Sequence, residues 1–290
     1  MKKSLTITIG EDLNGLMIKA VLSQSIGLSR REISRLKFTE NGILLNGSSA
    51  YITAIVHSGD TLEINFPDYD LAHYTRISGR PEILYEDEDL VVVNKPAGMP
   101  CHPSHEHLDD DMGTLLQNYY GPSFTIRAVG RLDKDVSGIM LYAKNQPSAA
   151  RLSRQRGEGL LKKTYVAVAE GVFDVKSDTL TYRLARKEGH HDRRISKNGQ
   201  ECVTEYTVIK ESGNCSLLEV SIITGRTHQI RAGMAYTGHP LCGDRLYGGN
   251  TGRISRPALH CAKLVFVQPF TKENIVVECE IPDDMKRLLQ

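Results

Sequence analysis

The sequence predicts an α+β protein in two parts, a small mixed unit at the N-terminus followed by a larger, strand-dominated domain. Three observations carry this. Residues 12–42 hold two apolar runs at helical spacing, residues 200–278 hold successive runs that alternate like strands, and residues 67–80 (PDYDLAHYTRISGR) keep neither period. At 290 residues the chain exceeds what one core usually needs. The expected division is a module at 1–66, a linker at 67–80 and a second domain at 81–290.

Composition narrows the class. With 40% hydrophobic and 24% charged residues the chain is ordinary globular protein, neither disordered nor a disulfide scaffold. MKKSLTITIG alternates where a secretory signal would run continuously apolar, and no run is long enough to span a bilayer. A cytoplasmic chain with no membrane partner is expected. Six cysteines at 101, 202, 215, 242, 261 and 279 include no C-x-x-C pair and read as reduced thiols. The net charge of +1 excludes a globally basic coat protein, so a nucleic-acid partner has to be met by local patches.

Residues 1–9 alternate like an edge strand, after which Leu13, Leu16, Met17, Ala20 and Val21 fall at helical spacing up to Gly27. Ser29 can cap a second helix carrying Arg30, Arg31, Arg35 and Lys37, and Asn41-Gly42 stops it. A strand, an Asn46-Gly47 hairpin turn and a second strand after Ser58-Gly59-Asp60 complete the unit. LSRREISRL, GILLNG and VHSGDTLEI, spread over residues 12–66, resemble the α-L RNA-binding module found in a ribosomal small-subunit protein and some aminoacyl-tRNA synthetases. The resemblance implies that Arg30, Arg31 and Arg35 lie along RNA phosphates; an ordinary solvated basic helix is the alternative.

In the second domain PEILYEDEDLVVVNKPAG reads as an acidic turn, a buried strand and a breaker. His102, His105, His107 and Asp109–Asp111 are potential ligands, but their spacing fits neither zinc nor calcium patterns, so no metal is expected. GTLLQNYYG is a short helix. TIRAVGRLDKDVSGIMLYAKN, residues 125–145, places Asp133 in a turn between strands Ile126–Val129 and Ile139–Tyr142. Arg131 and Lys134 nearby favour its charged form, which suits a nucleophile or base; a carboxylate capping turn amides is equally compatible. Residues 146–161 form a helix bearing Arg151, Arg154 and Arg156, KKTYVAVAEGVF a strand containing Tyr165, and YRLARKEGHHDRRISKNGQ a basic loop or hairpin. ECVTEYTVIKES and CSLLEVSIITG pair through Gly213-Asn214. Thr227 can cap a helix bearing His228, Ile230 and Arg231, with Arg226 and Arg231 at the strand-to-helix junction; HCAKLVFVQPF and NIVVECEIP are the last strands.

GRLDKDVSGIMLYAK, KKTYVAVAEG and TGRTHQIRAGMAYTGHPLCGDRLYG, in this order and followed by LHCAKLVFVQPF, resemble the RluA family of RNA pseudouridine synthases across residues 81–285. The resemblance implies a pseudouridine synthase fold: a bent, mixed, mainly antiparallel sheet with peripheral helices. It implies cofactor-free isomerisation of uridine in structured RNA, rRNA before tRNA, by a monomer. Asp133 then attacks the anomeric carbon or removes the neighbouring sugar proton, Tyr165 stacks on the base, and Arg231 pairs with the aspartate. Arg131 fills the space left by the extruded base, and Ile230 walls its pocket. Gly130 stands where the commonest pattern has His, and Val136 where it has Thr. Two other classes were weighed. A glycosidase would pair Asp133 with an acid from Glu86–Asp89 or Asp109–Asp111, and a non-catalytic RNA-binding or ribosome-assembly protein would need only the basic patches.

Overall fold

The computed structural model describes residues 4–28, 33, 36, 37, 39–65, 79–102, 110–121, 124, 126–186 and 193–290. The expected linker lies almost wholly outside these residues, as do Arg30, Arg31 and Arg35.

The N-terminal unit is a four-stranded sheet. β1 (Ser4–Thr8), β2 (Ile43–Leu45), β3 (Ser48–Ser49) and β4 (Thr61–Asn65) lie in the order β1-β4-β2-β3. Asn46 and Gly47 both take positive φ, 51° and 79°, as a two-residue hairpin turn requires. The first helix is shorter than its apolar spacing predicts. Gly15 turns at φ 79°, Met17 bridges to Ile55 and is 53% exposed, and the helix begins only at α1 (Ile18–Ala20) before widening over Val21–Ser25. Periodicity cannot see a glycine break inside an apolar run. Ile18, Val21, Leu22, Ile33, Leu36, Leu62 and Ile64 close a core of their own.

The remaining strands share one sheet. They are β5 (Ile83–Glu86), β6 (Leu90–Lys95), β7 (Arg127–Ala128), β8 (Ser137–Ala143), β9 (Lys162–Glu170), β10 (Ser177–Arg186), β11 (Arg193–Ile195), β12 (Gln200–Ser212), β13 (Cys215–Ile222), β14 (Leu259–Val267) and β15 (Asn274–Glu278). Their order is β11-β10-β12-β13-β9-β14-β8-β6-β5, with β15 on β14 and β7 on β8. Only β8 and β14 pair in parallel, through His260 with Ser137 and Cys261 with Gly138, so the sheet is mixed and mainly antiparallel. Every residue of β8 is buried, and of β6 only Asn94 is not, which is why both read as continuous apolar runs. Peripheral helices are α2 (Met112–Tyr120), α3 (Gln146–Gly157), α4 (Gln229–Tyr236) and α5 (Asp283–Lys286). Asp111 accepts the Thr114 N–H to cap α2, and Asn145 caps α3 in the same way, with Pro147 in its first turn. α3 stops at Gly157 where a helix to 161 was expected, and β7 holds two residues of the expected Ile126–Val129 strand.

Two devices set the turn before β8. Gly138, at φ 110°, lies against β14, where a β-carbon would stand 2.4 Å from the Cys261 carbonyl oxygen and 2.5 Å from its nitrogen. Lys95, at the end of β6, is wholly buried, and its ammonium donates to the carbonyls of Pro96, Met99 and Lys134 at 2.7, 2.7 and 3.0 Å. The Lys134 carbonyl also accepts the Gly98 N–H at 2.9 Å. Lys95-Pro96-Ala97-Gly98 is thus a clamp on residues 133–136 as well as a strand breaker. Burial lowers the Lys95 pKa from 10.5 to about 8, against the pull of Cys101, Asp135 and Asp133.

Gly138→Ala is expected to cost roughly 3 kcal/mol or more, read by urea denaturation, because two backbones must separate. Lys95→Met takes the donor from the Pro96 and Met99 carbonyls and leaves that of Lys134 with the Gly98 N–H alone, a loss of about 2 kcal/mol at neutral pH. Between about pH 8 and 10.5 the unfolded chain binds a proton that the folded lysine has released, so stability rises with pH there. Wild type should therefore pull further ahead of Lys95→Met across that window, by up to about 3 kcal/mol; a constant gap would refute the shift.

Candidate active site

Asp133 lies in the turn between β7 and β8, which its carbonyl closes by accepting the Val136 N–H at 3.1 Å. The preceding residue is fixed on both sides of its peptide unit: the Leu132 N–H donates to Cys101 Sγ, and the Cys101 thiol donates to the Leu132 carbonyl, each at 3.2 Å. With its backbone satisfied, the turn leaves the Asp133 carboxylate 16% exposed at the wall of a cleft of about 870 Å³. A cleft of that volume takes a nucleotide-sized ligand.

The wall opposite is α4. Its start differs from the sequence expectation. His228, not Thr227, occupies the cap position, in left-handed geometry (φ 55°, ψ 21°) and without a side-chain cap, so the helix begins at Gln229. Gln229 anchors the start of the helix instead. Its Oε1 accepts from the Thr224 hydroxyl and the Arg226 N–H, and its Nε2 donates to the Val203 carbonyl and the Thr204 hydroxyl. Gly233 lets the helix lie close to β10, because a β-carbon there would meet the Tyr182 hydroxyl at 2.3 Å. The Tyr182 hydroxyl also donates to the Gln229 carbonyl at 2.7 Å.

One turn into α4, Arg231 reaches across to Asp133, with Nη1 3.3 Å from Oδ2. Its main partner is another acid. Nε and Nη2 donate to the two oxygens of Asp244 at 2.6 and 2.8 Å, a bidentate pair with side chains 7% and 1% exposed. Burial alone would lower the guanidinium's pKa; the hydrogen bonds and charge of Asp244, then of Asp133, more than reverse this and raise it. Asp244, within CGDRLYG, was not singled out by sequence reasoning. The one signal available was an acid 13 residues beyond an arginine, with no period linking the two. Lys95 escaped for the same reason.

Tyr165 comes from β9, between Val220 of β13 and Cys261 of β14, and is 5% exposed. Burial, with the negative fields of Cys261 and Asp133 added, raises its pKa well above 10, so at neutral pH it is a phenol. Ile230, also 5% exposed, lines the same cleft, and so do Arg131 and Arg226, both exposed. Arg156, Lys162 and Lys163 add to them, giving five basic side chains on the cleft wall besides Arg231. The fold therefore gathers Asp133, Tyr165, Arg231, Arg131, Ile230 and Arg226 around one space.

The acids from which sequence reasoning would draw a glycosidase's second carboxylate lie elsewhere. Glu86 pairs with Lys144 at 2.9 Å, Asp87 accepts the N–H groups of its own turn, Asp89 accepts from Asn145, and Asp111 caps α2. His105, His107 and Asp109 fall outside the described residues; among the described residues no group of three metal-ligating side chains occurs.

Comparison with known proteins follows the same line. The family described as RNA pseudouridylate synthase matches residues 89–236. The RNA pseudouridine synthase YhcT of Bacillus subtilis is 36% identical over 99% of this chain and 96% of its own length. Ribosomal large subunit pseudouridine synthase D of Zymomonas mobilis is 31% identical over 98% and 96%. Among solved structures, human RNA pseudouridylate synthase domain containing 1 superposes with a TM-score of 0.60 at 26% identity, covering 73% of this chain and 86% of that one. With a matching sequence family, full-length relatives and a shared fold around the Asp133 cleft, the chain belongs to the RluA family of RNA pseudouridine synthases, isomerases that convert uridine in RNA to pseudouridine.

Proposed function

We propose that the enzyme modifies uridine in ribosomal RNA and that Asp133, Tyr165 and Arg231 carry the reaction. The observation that supports this most directly is the meeting of a partly exposed carboxylate, a buried phenol and a buried guanidinium around one basic cleft. Relatives named for the large ribosomal subunit support the choice of RNA.

The residues divide the work as follows. Arg131, Arg156, Lys162, Lys163 and Arg226 hold phosphates at the cleft mouth, where charge positions RNA without reading sequence. The target base leaves its stack at a cost of a few kcal/mol, and Arg131 enters the vacated space. Ile230 and the Tyr165 ring sandwich the uracil. Asp133 attacks the anomeric carbon, or takes the adjacent sugar proton, while Arg231 keeps it aimed. The glycosidic bond to N1 breaks and the uracil turns; C5 then bonds to the sugar carbon as the bond to Asp133 breaks, or as the sugar proton that Asp133 took is returned, and the C5 proton leaves while N1 ends protonated. With Tyr165 a neutral phenol, its ring supplies the stacking surface, and its hydroxyl oxygen can accept that proton only if it passes its own on.

Residues 1–66 act as an RNA-binding module tethered through 67–80, with Arg30, Arg31 and Arg35 on phosphates. The chain works as a monomer in the cytoplasm; no helix among the described residues is long and apolar enough to cross a membrane.

Four experiments test this. Asp133→Asn should abolish tritium release from RNA labelled at uridine C5 while leaving RNA affinity within about threefold, since shape is kept and one charge is lost. Residual conversion by that variant would remove Asp133 from the nucleophile or base role. Asp244→Asn leaves Arg231 buried with its principal anion gone, so folding stability should fall by about 3 kcal/mol and kcat by at least tenfold. Deleting residues 1–66 should weaken RNA binding while the remaining domain still unfolds cooperatively, and unchanged affinity for ribosomal RNA would count against the module. A pseudouridine map of cells with and without the gene names the site.

A further inference from the structure

Among the described residues the basic groups beside Asp133 lie against one of its oxygens. Arg231 Nη1 lies 3.3 Å and His228 Nε2 3.8 Å from Oδ2. Among the described residues no donor reaches Oδ1.

His228 is an expensive choice for its place. At φ 55° a β-carbon costs about 1 kcal/mol that glycine would avoid, and the side chain caps nothing. The ring is nevertheless anchored. Nδ1 lies 3.0 Å from the Tyr247 hydroxyl, whose oxygen accepts the Arg193 backbone N–H at 2.9 Å, and the two rings meet edge-on at 5.8 Å. A carboxylate can only accept, so the tautomer with its hydrogen on Nε2, towards Asp133, is the favoured one, and Nδ1 then accepts from the Tyr247 hydroxyl. Burial lowers the His228 pKa, and Arg231 from its own helix and Arg193 from β11 add to this against the opposing pull of Asp133 and Asp244. The ring is therefore neutral at physiological pH, with one donor to offer.

We propose that His228 is a positioning residue that, together with Arg231, holds Oδ2 of Asp133 so that Oδ1 is the atom presented to the target ribose. This rests on the isomerase reading of the cleft and holds whether Oδ1 attacks carbon or takes a proton. The 3.8 Å separation exceeds a hydrogen bond and closes when a bound nucleotide displaces water from the cleft. Tyr247 acts one step further back, by fixing the tautomer.

The test uses the full-length protein and C5-tritiated total RNA from cells lacking the gene. His228→Gly relieves the backbone and removes the ring, and is expected to lose roughly tenfold to a hundredfold in kcat, with KM within about threefold. His228→Ala and His228→Gln share the same backbone strain, so Gln should exceed Ala by about tenfold because its amide can donate where Nε2 did. Tyr247→Phe should lose about threefold to tenfold in kcat with an unchanged melting temperature. Wild-type kcat in His228→Gly, a loss confined to KM, or no advantage of Gln over Ala would each overturn the proposal, and Tyr247→Phe decides it if the position 228 variants do not fold. Failure of the isomerase reading looks different: wild type itself releases no tritium, or Asp133→Asn does.

Discussion

The site depends on one buried guanidinium shared by two carboxylates. A cation as buried as Arg231 needs a fixed anion, and Asp244 meets that need with two short hydrogen bonds. The contact to Asp133 is longer and single. Had Asp133 been the only counter-ion, the pair would have been tight and its carboxylate quenched by the charge that orients it. With Asp244 present two carboxylates share one guanidinium, and Asp133, the more exposed of the two, keeps the weaker contact. The arrangement is costly to desolvate and tolerates no missing member.

Around that cluster, each neighbouring element settles one degree of freedom. The β8–β14 crossing sets the height of the Asp133 turn, because Gly138 brings the two backbones into contact. Lys95 then ties the turn to the end of β6 by donating to three carbonyls, one of them that of Lys134 in the turn itself. Opposite, Gln229 ties α4 to the end of β13 and to β12, and Tyr182 fixes the distance of the helix from the sheet. Tyr165 needs no such help, since β9 is paired on both sides.

Charge follows the same logic of placement over amount. A net charge of +1 says nothing of RNA, yet Arg131, Arg156, Lys162, Lys163 and Arg226, dispersed over 96 positions, line one cleft. Acids that balance them in the count are spent elsewhere, on turns, caps and surface pairs.

Much of this was legible before folding. Alternation marked the long hairpin of β12 and β13, continuous apolar runs marked β6 and β8, and three ordered motifs pointed to the family and to Asp133, Tyr165 and Arg231. Local pattern failed where a glycine broke a helix at Gly15 and where His228 displaced Thr227 at a cap. It also missed Asp244 and Lys95, whose partners are remote in sequence or lie on backbone atoms that carry no letter. The sequence by itself carried the α+β class, through short-range period, and the family with its candidate aspartate, through the resemblance of three ordered motifs. Only the tertiary structure decided which acid holds Arg231, which oxygen of Asp133 is left open, and which cations line the cleft. Those are matters of distance between groups far apart in the chain, and a few tenths of an ångström there separate a quenched ion pair from a poised one.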